Sequence, residues 1–182
     1  GQESTNFIIA VKNCGVVNTW DGAFSPQDAD SGGSGSGVFV AEFDSSCGGF
    51  VYGNIRFEDQ TFDETGFRAK TWSPVRYARV EVRRQVDNAV LATGYADRNG
   101  RYAIRFGNDG LPGVYVRVFT ETNRDDGLRN VAVRNHPKFG IVYSYAAPAF
   151  TEDPKAPTHL TIDIPEQQNE LTMAGAFNIF DV

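Results

Sequence analysis

The sequence predicts an all-β, antiparallel β-sandwich with an N-terminal, strand-bearing extension. Three observations lead there. Apolar β-type runs recur about every 8–15 residues, separated by clusters of Gly, Asn, Asp and Pro. Several runs alternate with period two. In Arg79-Val80-Glu81-Val82-Arg83 the valines fall on one face and the charges on the other, and Val114, Val116 and Val118 alternate likewise with Tyr115 and Arg117. Amphipathic helical spacing is almost absent. Two sheets packed on such half-apolar faces make a sandwich.

Strands are expected over 7–11, 38–43, 50–57, 79–84, 90–95, 101–106, 114–121, 129–134, 141–146, 159–164 and 176–180. The turns between them have mechanisms. Asp97-Arg98-Asn99-Gly100 lies between Tyr95 and Tyr102, and Asn-Gly supplies the positive φ of a tight hairpin. Asn108-Asp109-Gly110, followed by Leu111-Pro112-Gly113, is expected to close the next hairpin, and Asp125-Asp126-Gly127 the one after. Asp153-Pro154-Lys155-Ala156-Pro157 cannot pair as a central strand, because proline donates no ladder hydrogen bond.

The run Ser31-Gly32-Gly33-Ser34-Gly35-Ser36-Gly37 reads as a linker. It divides an extension over 1–37 from a sandwich body over 38–182. The extension carries Asn6-Phe7-Ile8-Ile9-Ala10-Val11-Lys12, a short apolar β-type segment. Sandwiches have open sheet edges, whose unpaired N–H and C=O groups accept an incoming strand. Phe7, Ile8, Ile9 and Val11 are therefore the expected strand-addition residues. Addition within the chain gives a closed monomer, and addition to the next copy gives a propagating contact.

Composition bounds the function. Hydrophobic residues make up 41% and charged residues 22%, so a packed core is expected rather than disorder. The formal charge of −6 argues against nucleic acid or anionic lipid as the main partner. No apolar run is long enough for a helical membrane span. Cys14 and Cys47 stand 33 positions apart with no C-x-x-C motif and no neighbouring His. A structural Cys14–Cys47 disulfide is the expectation, and it would contribute about 3–4 kcal/mol by constraining the unfolded chain. Two separate buried thiols or an intermolecular bridge are the alternatives. Paired Cys, 13 Arg against 4 Lys, and an opening on Gly1 rather than Met together favour a secreted, extracellular or cell-surface protein.

Residues 50–121 carry a further pattern. It runs through Val51-Tyr52-Gly53-Asn54-Ile55, then Ser73-Pro74-Val75-Arg76-Tyr77-Ala78-Arg79-Val80-Glu81-Val82. Val90-Leu91-Ala92-Thr93-Gly94-Tyr95-Ala96-Asp97-Arg98-Asn99-Gly100-Arg101-Tyr102 and Leu111-Pro112-Gly113-Val114-Tyr115-Val116-Arg117-Val118 complete it. The stretch resembles carboxypeptidase regulatory-like domains, transthyretin-like or Ig-like sandwiches that also look like the B-type repeats of bacterial surface adhesins. The resemblance implies a non-catalytic spacer, stalk or folding aid. The tail, Ala174-Gly175-Ala176-Phe177-Asn178-Ile179-Phe180-Asp181-Val182, looks like the segment that in some large bacterial exported proteins joins such a sandwich to a metallopeptidase, but no H-E-x-x-H is present.

The remaining candidates have competing structural readings. Asp125 and Asp126 are the best-placed carboxylates for calcium, the one cofactor considered, with Asp21, Asp28 and Asp30 next. The same residues are ordinary turn formers, and no D-x-D-x-D-G run occurs. His136 and His159 lack any nucleophile or metal context. Trp20, Trp72, Tyr52, Tyr77, Tyr95, Tyr115, Tyr143 and Tyr145 read as packing residues before they read as a glycan platform. Arg76, Arg79, Arg83 and Arg84 alternate with Glu81 and Asp87, as in cross-strand ion pairing. The expectation is a non-enzymatic structural module that self-associates by strand addition into an extracellular assembly or filament. The alternatives are an accessory domain of a secreted peptidase, or a calcium- or carbohydrate-dependent adhesin that contacts an extracellular protein or glycan.

Overall fold

The computed structural model describes residues 7–12, 15–18, 38–42, 48–60, 62–107, 113–123, 130–135, 140–153, 157–168 and 171–180. The extension and the start of the body supply β1 (Phe7–Lys12), β2 (Gly15–Asn18) and β3 (Val38–Glu42). The body continues with β4 (Gly49–Asp59), β5 (Phe62–Asp63), β6 (Gly66–Phe67), β7 (Thr71–Pro74), β8 (Arg79–Arg84), β9 (Val90–Tyr95) and β10 (Arg101–Phe106). After these come β11 (Val114–Phe119), β12 (Glu121–Asn123), β13 (Asn130–Ala132), β14 (Ser144–Ala146), β15 (Thr158–His159) and β16 (Ile162–Ile164). Next are β17 (Gln167–Gln168), β18 (Leu171–Thr172) and α1 (Met173–Phe180), the one helix among the described residues.

β4 is the strand on which one layer is built. Its first half pairs antiparallel with β10, from Gly49↔Phe106 to Asn54↔Arg101, and its second half antiparallel with β7, from Arg56↔Pro74 to Asp59↔Thr71. On its other side it pairs in parallel with β15 and then β16. The second layer is antiparallel throughout, in the order β14-β11-β8-β9. Alternation fixes what faces inward. Val51, Ile55, Phe57, Ile104 and Phe106 of the first layer pack against Val80, Val82, Val114, Val116 and Val118 of the second, in one core cluster. The molecule is thus an all-β sandwich, with parallel pairs where β15 and β16 return beside β4.

One crossing holds that return in place. Between β15 and β16 the backbone of Leu160 passes over Gly53, so close that a Cβ at Gly53 would lie 2.0 Å from the Leu160 carbonyl oxygen. The Leu160 amide donates to the Tyr52 carbonyl at 2.8 Å, and the buried Tyr102 hydroxyl donates to the Leu160 carbonyl at 2.8 Å. A fully buried tyrosine needs such an acceptor. Burial without a nearby cation pushes the Tyr102 hydroxyl's pKa upward, so it remains a donor.

The Asp97–Gly100 turn forms with the expected chemistry but a different role. Asp97 Oδ1 accepts from the amides of Asn99 (2.7 Å) and Arg101 (2.8 Å), and Gly100 has φ +72°. The turn does not close a hairpin within one sheet. β9 pairs with β8 and β10 with β4, so it carries the chain from one layer to the other. Gly100 docks on β4: its carbonyl accepts from the Ile55 amide at 2.8 Å, and a Cβ there would lie 2.6 Å from the Ile55 carbonyl oxygen. The expected hairpin between β10 and β11 is likewise a change of layer. β12 and β13 do form a hairpin; its Asp125-Asp126-Gly127 turn lies outside the described residues.

The tail is a helix where a strand was expected over 176–180. A period of two would place Ala176, Asn178 and Phe180 on one face. The helix buries Ala174, Phe177 and Phe180, three apart, with Ala176 beside them, and leaves Ile179 65% exposed. Phe177 and Phe180 join the sandwich core.

In the extension, β1 is the middle strand of a three-stranded sheet, antiparallel to β2 (Val11↔Val16) and parallel to β3 (Ile9↔Val40). β3, the first segment of the expected body, therefore belongs to the same sheet as the extension. β2 comes close to β10. At that end of β4, Phe50 and Tyr52 stand outside the core cluster yet are buried, at 1% and 8% exposure.

The crossing generates a test. Gly53→Ala should lower stability by about 1–3 kcal/mol or more, since only backbone can yield to the new methyl. Gly107→Ala, where a Cβ meets nothing within 4 Å, should stay within about 0.5 kcal/mol of the parent in the same urea titrations.

Candidate functional site

Three surfaces carry the residues of interest, and the first is the β2-β1-β3 sheet. It holds Phe7, Ile8, Ile9 and Val11 on its central strand, which spends its backbone groups on β2 and β3 of the same chain. Residues 19–37, between β2 and β3, contain the Gly/Ser run. Cys14 and Cys47 lie outside the described residues.

The second surface is the outward face of β14-β11-β8-β9. Cross-strand register arranges it in rows: Tyr95, Arg79, Phe119 and Ser144, then Thr93, Glu81, Arg117 and Ala146, then Arg83 beside Tyr115. Glu81 is only 5% exposed, and its carboxylate accepts from Arg79 and from Arg83 Nε (2.6 Å). Arg79 also donates to Glu121 at 2.5 Å and lies 3.8 Å from the centroid of the Phe119 ring. The ion pairs of Glu81 therefore run along β8 rather than across strands as expected. The physical reason is reach: residues two apart on one strand share a face, and Arg79 and Arg83 flank Glu81 on both sides. Arg117, directly opposite Glu81, is left without a carboxylate among the described residues. Its Nε donates to Ser144 Oγ at 3.0 Å, and its guanidinium lies 5.6 Å from the Phe119 centroid.

The third surface is the outward face of β7, β4 and β16. Arg56 grips Asp163 with two hydrogen bonds of 2.9 Å and lies 5.4 Å from the Trp72 ring centroid. Trp72 is 45% exposed. Lys70 pairs with Glu166 at 2.5 Å and with Glu58 at 3.4 Å, and Glu58 accepts the Glu166 amide at 2.9 Å. The Glu166 amide, with Lys70 assisting, holds the Glu58 carboxyl below its ordinary value. Lys70 is raised, chiefly by Glu166. Sequence spacing held no signal for this network, because Glu58 and Glu166 meet only through the parallel return.

The other candidates are not gathered into a site. Among the described residues no three His, Cys, Asp or Glu side chains could hold a metal ion. Asp125, Asp126, Asp21, Asp28, Asp30, Trp20 and His136 lie outside the described residues. The His159 ring lies 5.2 Å from that of Tyr52. Tyr77 and Tyr95 are exposed, while Tyr143 and Tyr145 pack against the core, so the aromatic residues do not share one platform. No helix among the described residues is long and apolar enough to cross a membrane.

Comparison with known proteins leaves the chain without a family. No family model and no curated protein matches it. Among solved structures, a 9R-lipoxygenase from Cyanothece PCC8801 is 18% identical over 68% of this chain and 16% of that one, with a TM-score of 0.30. A Pseudomonas aeruginosa protein assigned only provisionally to carbohydrate binding is 11% identical over 64% of this chain and 88% of that one, with a TM-score of 0.34. An (S)-allantoin synthase is 10% identical over 66% and 41%, also with a TM-score of 0.34. This chain thus spans a small part of the lipoxygenase, and likenesses at this level assign it no ligand or activity.

The charge network makes a prediction about acid. A carboxyl whose value is lowered on folding contributes its full stabilisation above its unfolded value and loses it as the pH falls through the lowered one. Glu58→Gln should therefore melt below the parent at pH 7. That gap should close as the pH drops below the ordinary carboxyl value of 4.5, as read by thermal unfolding across pH.

Proposed function

We propose that this chain is a non-enzymatic extracellular structural module of the carboxypeptidase regulatory-like sandwich type, which self-associates through β1. The observation that carries the reading is the parallel β1–β3 pair, whose two strands are joined only through β2 and the 19 residues 19–37. A stretch of that length spans at most about 65 Å, more than the roughly 40 Å across a sandwich of this size. The same main-chain pairing can therefore be made onto β3 of a neighbouring copy. Exchange of an identical element between copies needs no new interface chemistry. Main-chain hydrogen bonds supply affinity, and the alternation of Phe7, Ile8, Ile9 and Val11 supplies register. The paired Cys and the preference for Arg over Lys support an exported setting.

The test is the paired substitution Ile8→Asp with Ile9→Asp. The parent should give assembled particles or fibres by electron microscopy and light scattering, and the variant only 20 kDa particles with unchanged far-ultraviolet circular dichroism. Assembly that survives the substitution, or a parent that stays dispersed, overturns the reading.

A further inference from the structure

We infer that Arg117 on the outward face of the second layer is a docking point for Glu64 on the β5–β6 hairpin of another copy of this chain. The inference rests on the self-association proposed above and supplies a second contact, independent of β1. It starts from what each charge does at home. On the Arg117 face the described charges are Arg79, Arg83 and Arg117 against Glu81 and Glu121, and both carboxylates are taken by Arg79 and Arg83. Arg117 is the surplus cation, half-buried, with its Nε held by Ser144 and its terminal nitrogens without partners among the described residues. Arg98 and Arg134 also have no carboxylate partner among the described residues, but both are exposed, and Arg134 is bound to the Gly140 carbonyl. Of these three, only Arg117 combines a strand position, partial burial and an Nε held in place, the preorganisation that bidentate carboxylate recognition uses.

The complementary search gives one match. Among the described carboxylate side chains, Glu64 is the one that receives no hydrogen bond or ion pair, and it is exposed at the turn between Phe62–Asp63 and Gly66–Phe67. A hairpin tip can meet a flat sheet face without backbone rearrangement. The two patches are different parts of the molecule, so a contact between copies is heterologous and leaves each copy with one free donor and one free acceptor patch. A chain with net charge −6 repels itself over long range, and a local pair of opposite sign sets where two copies can touch.

Charge exchange tests the pairing. Arg117→Glu and Glu64→Arg should each weaken association at low salt by about tenfold or more, and the double variant should recover to within about threefold of the parent. A silent single substitution, or a double variant no better than the worse single, overturns the contact. A second readout separates this from the strand mechanism. In the Ile8→Asp, Ile9→Asp protein, which is dispersed at the micromolar concentrations of microscopy and light scattering, the guanidinium nitrogen resonances of Arg117 should still shift towards millimolar protein as weak encounters persist without assembled particles, and Glu64→Arg should remove the shift. A shift on adding glucuronate with none on raising protein concentration would reassign Arg117 to a soluble acidic sugar and overturn the pairing with Glu64.

Discussion

The return of Leu160 over Gly53 is the constraint on which the rest of the sandwich depends. Because position 53 has no side chain, the segment carrying β15 and β16 can lie against β4 and bring Ile162 and Ile164 into the core. Tyr102, opposite Gly53 in the antiparallel register, closes the site from the other strand by capping the Leu160 carbonyl. One small residue and one buried hydroxyl thus join three segments that are far apart in sequence. The same return places Asp163 beside Arg56 and Glu166 beside Glu58, so the charge network on the outside follows from the crossing on the inside.

On both outward faces the charged groups are mostly consumed by one another. Short ionic contacts of this sort at the surface add little to stability, typically under about 1 kcal/mol each. Their larger effect is on what remains available. Arg56, Lys70, Arg79 and Arg83 are occupied, so the few unmatched groups stand out against a neutralised background.

Much of the fold was legible, for a physical reason. Strands half-buried in a sandwich tend to alternate, as β10 does throughout and β11 over most of its length, and the limits of β8 to β11 were readable to within a residue or two. β7 was missed because Trp72 and Pro74 are exposed and its register is set by β4 rather than by its own pattern. Partners were harder than elements. Turn chemistry reports a reversal of direction but not whether the chain stays in its sheet, which is why Asp97–Gly100 read as a hairpin. The tail misread has another origin: a period of two would gather Ala174, Ala176 and Phe180, a helical spacing gathers Ala174, Phe177 and Phe180, and only the packing of Phe177 decides between them. The surplus at Arg117 was hidden because Glu81 stands opposite in register and only the side-chain geometry shows it already engaged.

The parallel sense of β1 and β3 has a mechanical consequence. Pulling on the N-terminal end of the chain against the body loads β1 at Phe7 and β3 at Glu42, and in a parallel pair these are opposite ends. The load then runs along the strand axes and is shared by all the hydrogen bonds between them at once. An antiparallel hairpin pulled from its open end would yield one bond at a time. A tether built this way fails by sliding, and its strength grows with every residue pair added to the overlap.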